Sequence, residues 1–267
     1  MNISPISRGT RRVTVVRRGA GDDHPVDDTV LVEGPLEILV DAVSVATTMR
    51  TPGDDDLLAL GFSICEGLIP EGCEPVVEVI ETAGDGARVL VTTGNLFPQQ
   101  VGRLGLVSSS CGVCGTADLP GLIASVPEVT PMVAFDSATL IAVAASARSR
   151  QELFAVTGGS HAAAAFDSDG RIVAIAEDVG RHNAVDKVLG RLFREGRLPA
   201  GDLGLFVSGR ASFEMVQKAC VGGFAALVSV SAPSSAAVEA AARAGLRLLG
   251  FARGDQATEY VADERPS

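Results

Sequence analysis

Tryptophan is absent from this 267-residue chain, tyrosine occurs once, and aromatic residues make up 4% of it. No apolar run approaches the roughly 18 residues that a membrane span needs. The arginines Arg11, Arg12, Arg17 and Arg18 are followed by no apolar segment, so neither a membrane partner nor a secretory signal is expected. Cysteine is scarce as well, with Cys65, Cys73, Cys111, Cys114 and Cys220 in a chain of this length. That usage points to a reducing cytosol and against a disulfide framework, so a cytoplasmic location is expected. Neither a P-loop nor G-x-G-x-x-G occurs, so a kinase, an NTPase or a standard dinucleotide enzyme is not indicated.

What is present suits a globular α/β protein with many turns: 46% hydrophobic residues, rich in Ala and Val, and 30 glycines. The charge is uneven. Residues 1–160 carry 10 basic and 20 acidic side chains, a net of −10, whereas residues 161–267 carry 12 and 13, a net of −1. Together these give the overall −11. Phosphate neutralisation drives nucleic-acid affinity, so no nucleic-acid partner is expected. The nearly neutral second half can still present a local basic site to an anionic small molecule.

Patterning divides the chain into a flexible arm over 1–28 with a weak strand at 13–16, a strand-rich domain over 29–130, and a layered α/β domain over 131–267. Residues 30–32 and 36–40 around Gly34-Pro35 read as a hairpin, followed by a strand over 43–48. Asp54, Asp55 and Asp56 open a helix to about Cys65, since carboxylates favour the N-terminal turn, and Gly67 closes it. Strands over 76–81 and 87–93 flank a turn at Gly84-Asp85-Gly86. Pro120, Pro127 and Pro131 mark a boundary. A helix then runs from Ser137 to about Leu153 with Asp136 as N-cap. Strands over 161–166 and 172–177 form a hairpin. A helix over 183–195 carries one apolar stripe, Val185, Val188, Leu189 and Leu192. Strands over 203–208, 226–231 and 246–251 alternate with helices over 212–222 and 234–244.

Strand-to-helix connections expose unpaired backbone N–H groups and are ready anion sites. Arg181 and Arg210 each sit beside a glycine in such a connection. Past the last strand, Phe251, Ala252, Arg253, Gly254, Asp255 and Gln256 offer an aromatic face, a guanidinium and a carboxylate. Arg253 can pair with phosphate, and Asp255 can accept from a guanine edge. Ordinary capping and turn chemistry accounts for each stretch taken alone. His161 and His182 read equally as structural groups.

Cys111-Gly112-Val113-Cys114, between Ser108-Ser109-Ser110 and Gly115, places two thiols on a loop of small residues. Such a pair can be half of a zinc site, a redox disulfide or a sulfur-carrying thiolate. A structural zinc site needs four ligands, and no second closely spaced pair exists. A zinc deaminase wants Pro-Cys-x-x-Cys with an upstream His/Cys-x-Glu, whereas Ser110 precedes Cys111. Thioredoxin-type exchange wants a helix after the pair, and Gly115 to Pro120 cannot sustain a long one. A thiolate that accepts sulfane sulfur and passes it on fits this loop best.

These residues resemble, in order, the FdhD family of formate dehydrogenase accessory sulfurtransferases. The resemblance rests on Ser109 to Gly115, Thr51-Pro52-Gly53 through Glu66-Gly67, and Thr157-Gly158-Gly159-Ser160-His161. It continues through Glu177-Asp178-Val179-Gly180-Arg181-His182-Asn183-Ala184-Val185-Asp186-Lys187, Ser208-Gly209-Arg210 and Gly250-Phe251-Ala252-Arg253, and spans about 29–260. It implies a cytosolic homodimer whose second domain is cytidine deaminase-like. It also implies sulfur transfer from a cysteine desulfurase to the molybdenum cofactor in its bis-molybdopterin guanine dinucleotide form, before delivery to apo formate dehydrogenase. On this resemblance Cys111 is the persulfide carrier and Cys114 its helper. Phe251, Ala252, Arg253, Gly254, Asp255 and Gln256 bind the cofactor, with Arg181, Arg210 and Arg253 on its phosphates. No bound metal is expected. A cofactor-binding chaperone without covalent transfer and a dithiol–disulfide oxidoreductase are the rival readings.

Overall fold

The computed structural model describes residues 9–19, 23–82, 84–94 and 119–262. Strands β1 (Thr10–Arg17) and β2 (His24–Leu31) pair antiparallel from Thr10 opposite Leu31 to Arg17 opposite His24. Among the described residues, the stretch expected as a largely irregular arm is therefore mostly a two-stranded ribbon. The expected hairpin around Gly34-Pro35 does not form either, because residues 30–31 belong to β2 while β3 (Gly34–Val40) joins another sheet. Polar composition hid the ribbon: its strands are solvated on most positions and give no clean alternation.

That second sheet has β4 (Val43–Arg50), β3, β6 (Ala87–Thr92) and β5 (Val76–Glu81) side by side in this order. β3 and β6 are parallel and the other pairs antiparallel. Strict alternation in β3 sends Leu36, Ile38 and Val40 inward, against Val89 and Val91 of β6. Helix α1 (Asp55–Cys65) covers this face with Leu58, Ala59 and Phe62.

The large sheet has β12 (Gln256–Val261), β11 (Arg247–Arg253), β10 (Ala226–Ser229), β9 (Gly204–Val207), β7 (His161–Phe166) and β8 (Ile172–Asp178), in that order. β9, β10 and β11 are parallel; β7 and β12 run against their neighbours. Its inner strands are apolar on both faces, as a sheet covered on both sides requires. Leu205, Val207, Leu227 and Leu248 face α5 (Arg181–Arg194), α6 (Phe213–Val221) and α7 (Ser235–Ala244). Phe206, Ala226, Val228 and Leu249 face Leu140, Val143 and Ala147 of α3 (Ser137–Arg148). The mixed α/β class read from the sequence is the class observed, and the Val185, Val188, Leu189 and Leu192 stripe is buried.

Three elements differ from expectation. α2 (Leu119–Ser125) lies inside the Pro-punctuated stretch. The helix expected over 137–153 is two: α3 stops at Arg148, and α4 (Glu152–Thr157) starts anew. Last, β12 was unread, because a two-residue loop, Gly254-Asp255, turns β11 straight back. Gly254 has φ +61°, the left-handed conformation such a loop asks of its first residue.

α1 joins the two halves by crossing α5 at backbone contact. A Cβ on Gly61 would lie 1.9 Å from the Asp186 carbonyl oxygen, and one on Gly190 2.1 Å from that of Leu57. Only glycine fits at either point. Beside this crossing, Arg50 is buried and makes a bidentate pair with Asp55, Nε to Oδ1 at 2.8 Å and Nη2 to Oδ2 at 2.7 Å. Asp55 thus serves as more than a helix-start charge.

Candidate functional site: a cationic cleft at the strand ends

Parallel strands release their connections at their carboxyl ends, and ligands of open α/β sheets bind in that crevice. Here Ser208 follows β9, Val230 follows β10, and Ala252 and Arg253 end β11 with Gly254 just past them. Antiparallel β7 begins at the same edge with His161. These residues, with Ala144 and Arg148 of α3 and Phe154 of α4, line a cleft of about 580 Å³. Among the described residues, its charged walls are Arg148 and Arg253, and no carboxylate lines it.

The guanidinium of Arg148 lies 3.8 Å above the centroid of the Phe154 ring, and its Nη1 donates to Gln151 Oε1 at 3.1 Å. Arg253 donates Nε–H to the Val230 carbonyl at 3.0 Å, which aims the rest of its fork. The α4 wall is fixed from a distance. Glu177 of β8 accepts from the N–H groups of Leu153 and Phe154, both at 2.8 Å, and from Ser160 Oγ at 2.6 Å. It caps α4 in place of Gln151, whose side chain makes no cap bond. Burial, then the charges of Arg181 and His182, holds His161 below the usual imidazole range.

The predicted cofactor stretch is partly assembled here. Ala252, Arg253 and Gly254 line the cleft, while Asp255 and Gln256 are exposed beyond it at the hairpin tip. Phe251, 45% exposed, adopts φ +54° at an irregularity of β11. Such a conformation costs about 1–3 kcal/mol for a non-glycine residue and turns the chain at the cleft's rim. Arg181 stands behind Gly209, where a Cβ would be 3.4 Å from its Cδ and 3.7 Å from the His161 ring. Arg210 is exposed and does not line the cleft. Cys111 and Cys114 lie outside the described residues.

Sequence reasoning missed Arg148 and Phe154. One continuous helix over 137–153 would show Arg148 only as a surface position and leave Phe154 just past its end; the signal lay in Ser149 and the Gly158-Gly159 pair, beside which the two helices end.

Much of the stretch from Glu177 to Lys187 is architectural. Buried Asp178 accepts from the N–H groups of Thr51 at 3.1 Å and Gly180 at 2.8 Å and from Asn183 Nδ2 at 2.9 Å. It also pairs with Lys187 Nζ at 2.8 Å. Lys187 donates to the Thr51 carbonyl at 3.1 Å, and Asn183 to that of Met49 at 2.8 Å. This network pins the end of β4 to the start of α5. Next to it, Asp186 and Lys218 pair at 2.5 Å in a buried site. His182 Nε2 meets Glu214 Oε2 at 2.5 Å.

Burial raises the Cys65 thiol well above its ordinary value and pushes Cys220 up to about 12, so both stay protonated. Half-buried Cys73 directs its Sγ at the Thr93 carbonyl, 3.7 Å away. Among the described residues, no group of three or more His, Cys, Asp or Glu side chains is placed to hold a metal. No helix among them is long and apolar enough to cross a membrane.

Fold and cleft together define a mixed α/β protein with a cationic cleft at the carboxyl ends of a parallel strand set. Comparison with known proteins specifies the kind. The chain belongs to the FdhD/NarQ family, whose profile matches residues 31–267. The sulfur carrier protein FdhD of Streptomyces avermitilis is 42% identical over 96% of this chain and 94% of its own length. That of Mycolicibacterium paratuberculosis is 44% identical over 96% and 97%. A crystal structure from Desulfotalea psychrophila, described as a candidate formate dehydrogenase accessory protein, shares the fold. Its TM-score is 0.74 at 23% identity, covering 96% of this chain and 98% of that one.

Proposed function

We propose that this protein is a sulfur carrier for the maturation of formate dehydrogenase. The Cys111 thiolate attacks the sulfane sulfur of a cysteine desulfurase persulfide. The donor's S–S bond breaks, the desulfurase cysteine leaves as thiolate, and Cys111 becomes the persulfide, with Cys114 assisting its release. The acceptor is the molybdenum cofactor in its bis-molybdopterin guanine dinucleotide form, bound as substrate by a homodimer in the cytoplasm. The sulfurated cofactor then passes to apo formate dehydrogenase.

One observation carries this reading. Segments far apart in the chain, Gly158 to His161, Ser208 and Ala252 to Gly254, converge on one cleft whose described lining has two guanidinium groups and no carboxylate. A dianionic pyrophosphate with a flat base fits such walls, since guanidinium groups both pair with phosphate and stack on rings. The states of two other thiols support it too. Cys65 and Cys220 are buried and protonated, so neither is a ready nucleophile.

The doubly substituted variant Cys111→Ser with Cys114→Ser tests covalent transfer. Co-expressed with apo formate dehydrogenase, it should leave that enzyme inactive while still binding guanine nucleotide. Full dehydrogenase activity with this variant would instead favour a chaperone that only holds the cofactor.

A further inference from the structure

His161 lines the cleft, where burial first and then the charges of Arg181 and His182 disfavour its cationic form. Its Nδ1 lies 3.4 Å from Ser208 Oγ, and that oxygen already accepts the Ala162 N–H at 2.9 Å. Among the described residues, Nδ1 is the acceptor recorded within reach of the Ser208 hydroxyl proton. A hydroxyl carries one proton, so donating it to Nδ1 makes Nδ1 an acceptor and leaves the ring proton on Nε2. The surroundings also favour the neutral ring. Arg181 and His182 face it from the start of α5, and Asp178 at the end of β8 offsets them only in part. Arg148 of α3 and Arg253 of β11 stand on the same cleft walls.

A neutral N–H gains little on a phosphate that two guanidinium groups already serve. It gains more on an uncharged acceptor, and the cleft has a place for a flat ring: the Arg148 guanidinium, stacked on Phe154, offers a planar surface. We propose that His161, held with its proton on Nε2 by Ser208, donates to the 6-oxo oxygen of a guanine base lying in this cleft. This role distinguishes guanine from adenine, whose 6-amino group is itself a donor. It rests on the cleft being the guanine-nucleotide site.

The test compares GDP-mannose with ADP-mannose, whose diesterified pyrophosphates do not titrate near neutral pH, by calorimetry on the full chain. Wild type should prefer GDP-mannose. His161→Ala should bind GDP-mannose about tenfold more weakly, the loss of one hydrogen bond, with ADP-mannose unchanged. His161→Gln, whose amide N–H can stand near the Nε2 position, should recover most of the preference. Equal losses for both nucleotides, or no loss in His161→Ala, would overturn the base-reading role while leaving the cleft assignment intact. Failure of wild type to bind either nucleotide would overturn the cleft assignment and this role with it. Nitrogen NMR of the His161 ring adds a ligand-free arm. A proton on Nε2 with the ring still neutral at pH 6.5 is expected, and a proton on Nδ1 there contradicts the proposal.

Discussion

At the residue scale, the two cations of the cleft are held differently. Arg148 is braced by a ring and an amide, whereas Arg253 is tied to one carbonyl through Nε. Arg253→Ala should therefore weaken guanine-nucleotide binding by about tenfold or more without affecting persulfide formation, since charged hydrogen bonds exceed neutral ones. Nucleotide affinity unchanged in this variant would remove Arg253 from the site. Asp178 presents the opposite case, a fully buried carboxylate outside the cleft lining. Asp178→Ala strands the Lys187 ammonium in the interior and should cost about 3–5 kcal/mol of stability, read from denaturant midpoints. A cost near zero would show that Lys187 finds water or another acceptor. Cations beside glycines were visible in the sequence. Their sorting into cleft, loop tip and half-buried backing was not, because it depends on which strand ends share an edge.

At the scale of elements, regular patterning was readable and remote capping was not. β7 to β11 and their helices announce themselves by apolar runs between turn residues, and each lies within a few residues of expectation. The α3–α4 break does not, because the residue that starts α4 is Glu177, twenty-odd positions downstream on another strand. β12 escaped because it is largely solvated and follows a two-residue loop. Local capping, by contrast, was legible: Asp136 accepts from the Thr139 N–H at 2.7 Å, as read from sequence. That bond, chiefly, holds the Asp136 carboxyl below its ordinary value. Its folded pKa is depressed, so its contribution to α3 is present above the unfolded carboxyl range and is lost as pH falls through the folded value. Asn also caps well and does not titrate. The stability difference between wild type and Asp136→Asn should thus shift against wild type below about pH 4. A difference constant from pH 6 to pH 2 would contradict the cap's ionic character.

At the scale of the molecule, two sheets are joined by a glycine-mediated helix crossing and by a buried polar network, while the described lining of the cleft comes from the larger sheet and the helices α3 and α4. The acidic half of the chain carries the cysteine pair in sequence, and the nearly neutral half carries the cleft. This division suits a carrier that must meet one partner with a thiol and hold an anion elsewhere. The ordered motifs made the family legible from sequence, but the cleft's walls needed the fold, since they come from α3, α4 and four strand ends. The most direct test of the sulfur-carrier account is the mass of the protein after incubation with a cysteine desulfurase and cysteine. The account predicts a gain of one sulfur, about 32 Da, on the peptide containing Cys111, and its absence in Cys111→Ala. No added sulfur on that peptide, or a loss of two hydrogens in its place, would contradict it.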